Sequence, residues 1–253
     1  MVSNVYLRVF RRYSPPSRCR NARSCPRHNV IWSQSHRPSS GFPILDDQTY
    51  VIRLQFKSQY SNICIGALDA GAHGVLAPLV RTVEDAKSFV EACRFPPQGK
   101  RGFGSPFPME RFGPNVTATQ YLTEANANLL LSVQIETKEA FDDVDAIAAV
   151  DGLDLLFVGP FDLGNGIGHP VLTGTFAPEL EQAIEKVLAS AHKAGKKAGI
   201  YCGSGTQAKK YADLGYDFVN VVTDIGALTS SLASEMQIVT QKAGKTASGP
   251  YGN

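Results

Sequence analysis

Leu129-Leu-Leu-Ser-Val-Gln-Ile-Glu136 and Asp154-Leu-Leu-Phe-Val-Gly159 decide how the chain is read. Each is a near-continuous apolar run of strand length, the pattern of a strand covered on both faces. Between them Thr137 can cap a helix that the spacing carries to about Ala149. Strand, helix and strand in that order make a parallel unit, because a parallel partner needs a crossover.

Working outward, the same alternation continues. Upstream, Val51–Leu54 is a short strand, Ile63–Ala70 a helix with Gly71 as its left-handed stop, and Gly74–Val80 a buried strand. Thr82 with Asp85 forms a capping box for a helix to about Cys93, and Thr117 with Gln120 opens another to about Ala127. Phe95–Gly113, rich in Pro and Gly, reads as a long loop, as does the Gly-rich stretch from Gly159 through Pro170. Downstream come a helix with Pro178 in its first turn, a strand over Lys197–Cys202, and a helix from Ser204 to Leu214. A strand over Phe218–Thr223 and a helix from Ile225 to about Lys242 follow. Six strand–helix units from residue 51 onward suit an α/β, TIM (β/α)₈-type barrel whose first two strands are missing or replaced. A doubly wound open sheet is the alternative. Only Val5–Phe10 and Asn29–Ser33 offer weak strands upstream. The expected division is an atypical segment over 1–50, a barrel domain over 51–243 and a tail over 244–253.

Composition bounds the function. The chain has 253 residues, 43% hydrophobic and 19% charged, as a soluble enzyme-sized domain does. No apolar run reaches the ~18–20 residues of a membrane span. Five scattered cysteines, without metal-ligand spacing, argue against a disulfide scaffold or a zinc ribbon and suit a reduced, cytoplasmic setting. Residues 1–44 hold eight arginines, no lysine and no acid, which leaves 17 of the 25 bases against all 23 acids in the remainder. A basic arm of this kind can be a mitochondrial transit peptide or a disordered start. The acidic body, without a basic stripe interleaved with aromatics, excludes nucleic-acid binding as the main reading.

In a parallel barrel the chemistry sits at the carboxyl ends of the strands. There stand Glu136, closing Gln134-Ile-Glu136, and Asp162, closing Gly159-Pro160-Phe161-Asp162. A carboxylate directly after an apolar run is costly unless something positive meets it. Two of them on consecutive strands suit a hard divalent cation such as Mg²⁺ or Mn²⁺. That reading and a helix-capping role for each acid stand level. Gly164-x-Gly166-x-Gly168 lacks the dinucleotide spacing and reads as flexible loop. Arg101-Gly-Phe-Gly104 offers a guanidinium and amides to an anion, or is a mobile loop. His73, His169 and His192 read as surface or packing residues.

Five motifs in order then become familiar. They are Ala67-Leu-Asp-Ala-Gly-Ala72, the strand Gly74–Val80 with Pro78, Pro96-Pro97-x-Gly99-x-Arg101-Gly102-x-Gly104, Val133-Gln-Ile-Glu136, and Phe157-Val-Gly-Pro-Phe-Asp162-Leu. Together they resemble the HpcH/HpaI aldolase/citrate lyase family, metal-dependent pyruvate aldolases of the 4-hydroxy-2-oxoheptanedioate aldolase type, over about residues 63–240. The resemblance implies a barrel of the phosphoenolpyruvate/pyruvate type that cleaves 4-hydroxy-2-oxo acids to pyruvate and an aldehyde. It implies Glu136 and Asp162 as metal ligands (Mg²⁺ or Mn²⁺, with Co²⁺ and Zn²⁺ as further options). Gln134 would lie beside the metal, Gly159, Pro160 and Phe161 would bind the 2-oxo acid, and Asp69 would orient a catalytic histidine across a subunit boundary. Arg53 is the candidate for the arginine that polarises the keto oxygen, although it stands about two residues upstream of the family position. Homo-oligomers, commonly hexamers joined through the last helix, are implied as well. The family's D-x-E-H-G motif has no match in residues 1–62, where His28 and His36 sit in another setting. An active aldolase and an impaired paralogue that binds metal and 2-oxo acid without efficient turnover therefore both remain as expectations.

Overall fold

Local chemistry sets the element boundaries. In this computed structural model, which describes residues 51–53, 61–113, 115–172 and 174–240, Thr82 and Thr117 each close a reciprocal capping box. Thr137 and Ser204 cap their helices through one side-chain bond each. Gly71, at φ 98°, and Gly195, at φ 70°, turn the chain after their helices in the left-handed conformation that other residues resist. The arginine-rich segment, with the strand and targeting readings placed on it, and the 244–253 tail lie outside the described residues.

The elements run β1 (Val51–Arg53), α1 (Ser61–Asp69), β2 (Gly74–Ala77), α2 (Val83–Cys93), α3 (Phe107–Phe112) and α4 (Ala118–Asn128). Then follow β3 (Leu130–Ile135), α5 (Lys138–Asp142), α6 (Val144–Ala148), β4 (Leu155–Val158) and α7 (Pro160–Gly166). The last are α8 (Pro178–Lys193), β5 (Lys197–Ile200), α9 (Gly205–Leu214), β6 (Phe218–Val219) and α10 (Asp224–Thr240). All strand pairs are parallel, in the order β1-β2-β3-β4-β5-β6. A doubly wound sheet needs a reversal of strand order, and here there is none. Parallel connections are right-handed as a rule, and when each steps to the next strand the rule puts their helices on one face, the winding of a TIM-type barrel.

Three loop and helix expectations are corrected. The presumed loop after β4 is helix α7, because Pro160 presets φ at the first helical position and Leu163 is pinned in the core. Gly164 there is a packing glycine rather than a flexible one, since a Cβ would come 2.7 Å from His169 O. The stretch read as loop before Gly113 contains α3, held by buried Pro108 and Phe112. The helix expected from Thr137 to Ala149 breaks at Asp143, and Val144, Ile147 and Ala148 of its second piece reach the core.

Strand alternation sorts the sheet into two faces. Val75, Leu131, Val133, Ile135, Leu156, Val158, Ala198, Ile200 and Val219 share one, all aliphatic and buried. On the other, register places Gln134 beside Phe157, Phe157 beside Gly199 and Gly199 beside Phe218. The Phe157 ring lies over Gly199, where a Cβ would meet it at 2.7 Å, and meets Phe218 edge-on at 6.2 Å. This second face carries the polar residues, and following it to the carboxyl ends of the strands leads to the candidate site.

Candidate functional site

Two residues beyond Gln134 on that face stands Glu136, with 2% of its surface exposed. Its Oε1 accepts the Leu79 N–H at 2.8 Å and its Oε2 accepts the Gln134 Nε2–H at 2.6 Å. Across from it on β4's strand line is Gly159, where a Cβ would lie 2.6 Å from Glu136 Oε2 and 3.1 Å from Gln134 Nε2. Only a residue without a side chain leaves room for this carboxylate. Thr137 Oγ1–H donates to Val80 O at 3.1 Å, so the loop after β2 is fastened to the end of β3 at two successive residues.

The chain then turns into α7. Its first intrahelical bond runs from Leu163 N–H to Gly159 O at 2.9 Å, which places the amides of Phe161 and Asp162 in the turn before the ladder begins. Asp162 is exposed in that first turn, where an acid also complements the helix dipole. Phe161 meets Tyr201, just past β5, edge-on at 6.2 Å. Gln134, Glu136, Gly159, Pro160, Phe161 and Asp162 therefore gather on two adjacent strand ends. In donor type, carboxylate oxygens from Glu136 and Asp162 are what a hard divalent cation takes, and among the described residues no cluster of three or more acidic, histidine or cysteine side chains that could hold a metal is found.

Asp69 and Arg53 sit apart from this group in chain position. Arg53 is the last residue of β1, in register with Leu76 of β2. Asp69 ends α1, and its Oδ1 accepts from Arg101 Nη2 at 2.8 Å. Arg101 is itself buried, with its guanidinium 4.5 Å over the Phe95 ring and Nη1–H donating to Tyr121 Oη at 3.2 Å. The guanidinium read from sequence as open to an anion is thus spent inside the fold. Burial raises the Tyr121 pKa against the lowering pull of Arg101, so its hydroxyl stays protonated.

The described histidines are engaged elsewhere. His73 is buried, with Nε2 3.0 Å from Arg111 O, while His192 Nε2 lies 2.8 Å from Asp217 Oδ2 and His169 Nδ1 lies 3.5 Å from Glu179. Sequence reasoning missed Leu79, which has φ 53° and carries no mark of it in its residue type, and Tyr201, one more apolar position in a strand-like run.

A family model described as HpcH/HpaI aldolase/citrate lyase matches residues 46–231. A hydroxypyruvate/pyruvate aldolase from Rhizorhabdus wittichii is 40% identical over 164 residues, 65% of this chain and 63% of that protein. A 5-keto-4-deoxy-D-glucarate aldolase from Klebsiella pneumoniae is 39% identical over 164 residues, 65% of this chain and 62% of that protein. The chain thus spans about 63% of the length of the curated relatives it matches. Among solved structures, an HpcH/HpaI aldolase/citrate lyase family protein from Burkholderia cenocepacia aligns with a TM-score of 0.65 at 34% identity, covering 75% of this chain and 73% of that one.

Proposed function

The chain belongs to the HpcH/HpaI aldolase/citrate lyase family, and from that premise we propose that it is a divalent-metal-dependent aldolase acting on 4-hydroxy-2-oxo acids. The observation that carries the proposal is the Glu136 carboxylate, buried at a strand end yet held by an amide and a backbone N–H opposite Gly159, with Asp162 in the turn beyond. Glu136 and Asp162 would hold a Mg²⁺ or Mn²⁺ ion, which would supply Lewis acidity toward the oxygens of a bound 2-oxo acid.

The chain's own groups do the rest. Gln134 keeps the Glu136 carboxylate in one rotamer, and the Phe161 and Asp162 amides receive the substrate carboxylate. Arg53 polarises the keto oxygen, and Asp69, held by Arg101, presents the carboxylate that works with a histidine across a subunit boundary. Exposed apolar residues on α10 (Ile225, Leu228, Leu232, Met236, Ile238 and Val239) support homo-oligomerisation through that helix.

The test is aldol addition of pyruvate to small aldehydes. Turnover that stops with EDTA, returns with Mn²⁺ and falls about 10³-fold in Glu136→Gln supports the aldolase. Metal-independent turnover sinks the assignment. A second reading, an impaired paralogue, is favoured by the engagement of His73, His169 and His192 away from Glu136. It predicts binding of Mn²⁺ and pyruvate without turnover, at the ~10²–10⁴-fold deficit of a missing general acid/base.

A further inference from the structure

Leu79 is a non-glycine residue in the left-handed region, at φ 53°, and the other described one is an asparagine, Asn115, whose side chain tolerates that conformation. Its neighbours Pro78 and Val80 are buried, while Leu79 itself is 45% exposed. Burial of the leucine therefore does not account for the backbone. What the conformation does is aim the Leu79 N–H at Glu136 Oε1, 2.8 Å away. The next residue, Val80, accepts the Thr137 hydroxyl at 3.1 Å, which locks the loop against the end of β3. Strain of this kind persists where surrounding structure over-determines it, and it concentrates at functional sites.

We propose that Leu79 is a positioning residue whose left-handed backbone holds the Glu136 carboxylate in its cation-binding orientation. The inference rests on Glu136 being a metal ligand, as argued above. With Gln134 on Oε2 and Leu79 on Oε1, both oxygens are aimed before a ligand arrives, so the carboxylate keeps little rotamer freedom to lose on binding. The device needs the N–H and the positive φ of residue 79, not its side chain.

The experiment is Mn²⁺ titration of the full chain, by calorimetry or by the loss of the free-ion electron paramagnetic resonance signal. Leu79→Gly and Leu79→Asn keep the conformation and the N–H, and are expected to bind Mn²⁺ within about twofold of the parent. Leu79→Val disfavours positive φ through its branched Cβ, and is expected to bind about tenfold more weakly, within the 10–100-fold span seen when groups that orient metal ligands are lost. The melting temperature of each metal-free variant checks that it folds. Parent-like binding by a folded Val variant overturns the proposal, as does a tenfold loss in the Gly and Asn variants. Should the Val variant not fold, retention by Gly and Asn set against a tenfold loss in Leu79→Thr supports it, and equal binding by all three overturns it. A parent chain that does not bind Mn²⁺, or binds it no more tightly than Glu136→Gln, sinks the metal-site reading instead.

Discussion

The two ends of the parallel sheet treat their carboxylates differently. At the amino ends, Asp154 bonds Arg94 at 2.7 Å and the Leu131 N–H at 2.8 Å, while Asp217 meets His192, Lys197 and the Ala198 N–H within 3.1 Å. Arg94 is 4% exposed and also donates to the carbonyls of Asn126, Leu129 and Gly152, so one guanidinium ties α4, the approach to β3 and the approach to β4 together. At the carboxyl ends, Glu136 is gripped by a backbone N–H and a neutral amide, in a space that a missing Cβ keeps clear. Asp154 and Asp217, bonded to cations at the amino ends, hold the fold together. Glu136 instead stands at the other end of the sheet, its carboxylate beside the space that Gly159 leaves open, and that placement is what separates it from Asp154 and Asp217.

Breaking the amino end gives the largest expected effect. Arg94→Met leaves a carboxylate and three carbonyls without their cation, a loss of about 3 kcal/mol in stability. Thermal melting is expected to drop by roughly 10 °C, with Mn²⁺ affinity of the folded fraction unchanged. A drop in affinity without a drop in melting temperature would reverse the comparison.

Gly159→Ala strikes the other end. A Cβ 2.6 Å from Glu136 Oε2 must displace the carboxylate, so Mn²⁺ binding is expected to weaken about 10- to 100-fold while the fold survives. Calorimetric titration beside a melting curve separates the two effects.

The smallest effect sharpens the electrostatics. Burial alone would raise the pKa of Asp217, but hydrogen bonds from His192, the Ala198 N–H and Lys197 outweigh it and hold the carboxyl below its ordinary 3.8. A lowered folded pKa means stability that is present above the unfolded value and lost as pH falls through the folded one. The chain is therefore expected to exceed Asp217→Asn by about 1 kcal/mol at neutral pH, with the gap closing below about pH 4. Paired melting curves across that range test it, and a gap that widens in acid contradicts it.

Much of the fold was legible because it is written in short-range patterns. Apolar runs such as Leu129–Ile135 and capping boxes such as Thr82 with Asp85 act within a few residues, and the structure reproduces both. Helix α7 is hidden in the sequence because its glycines outweigh Pro160 locally, whereas burial of Leu163 decides the matter. Arg101 looked open because it stands among glycines in the chain, and its partners Asp69, Phe95 and Tyr121 come from other elements.

The sequence by itself determined the alternating parallel architecture and the placement of two acids, Glu136 and Asp162, just beyond the ends of neighbouring strands. Period and spacing are local quantities, and one chain displays them without any partner. Tertiary structure alone decided that Leu79 would enter the left-handed region to reach Glu136, and that Gly159 would stand opposite to make room. Both depend on register between strands far apart in the chain, and register is fixed only when the whole sheet packs.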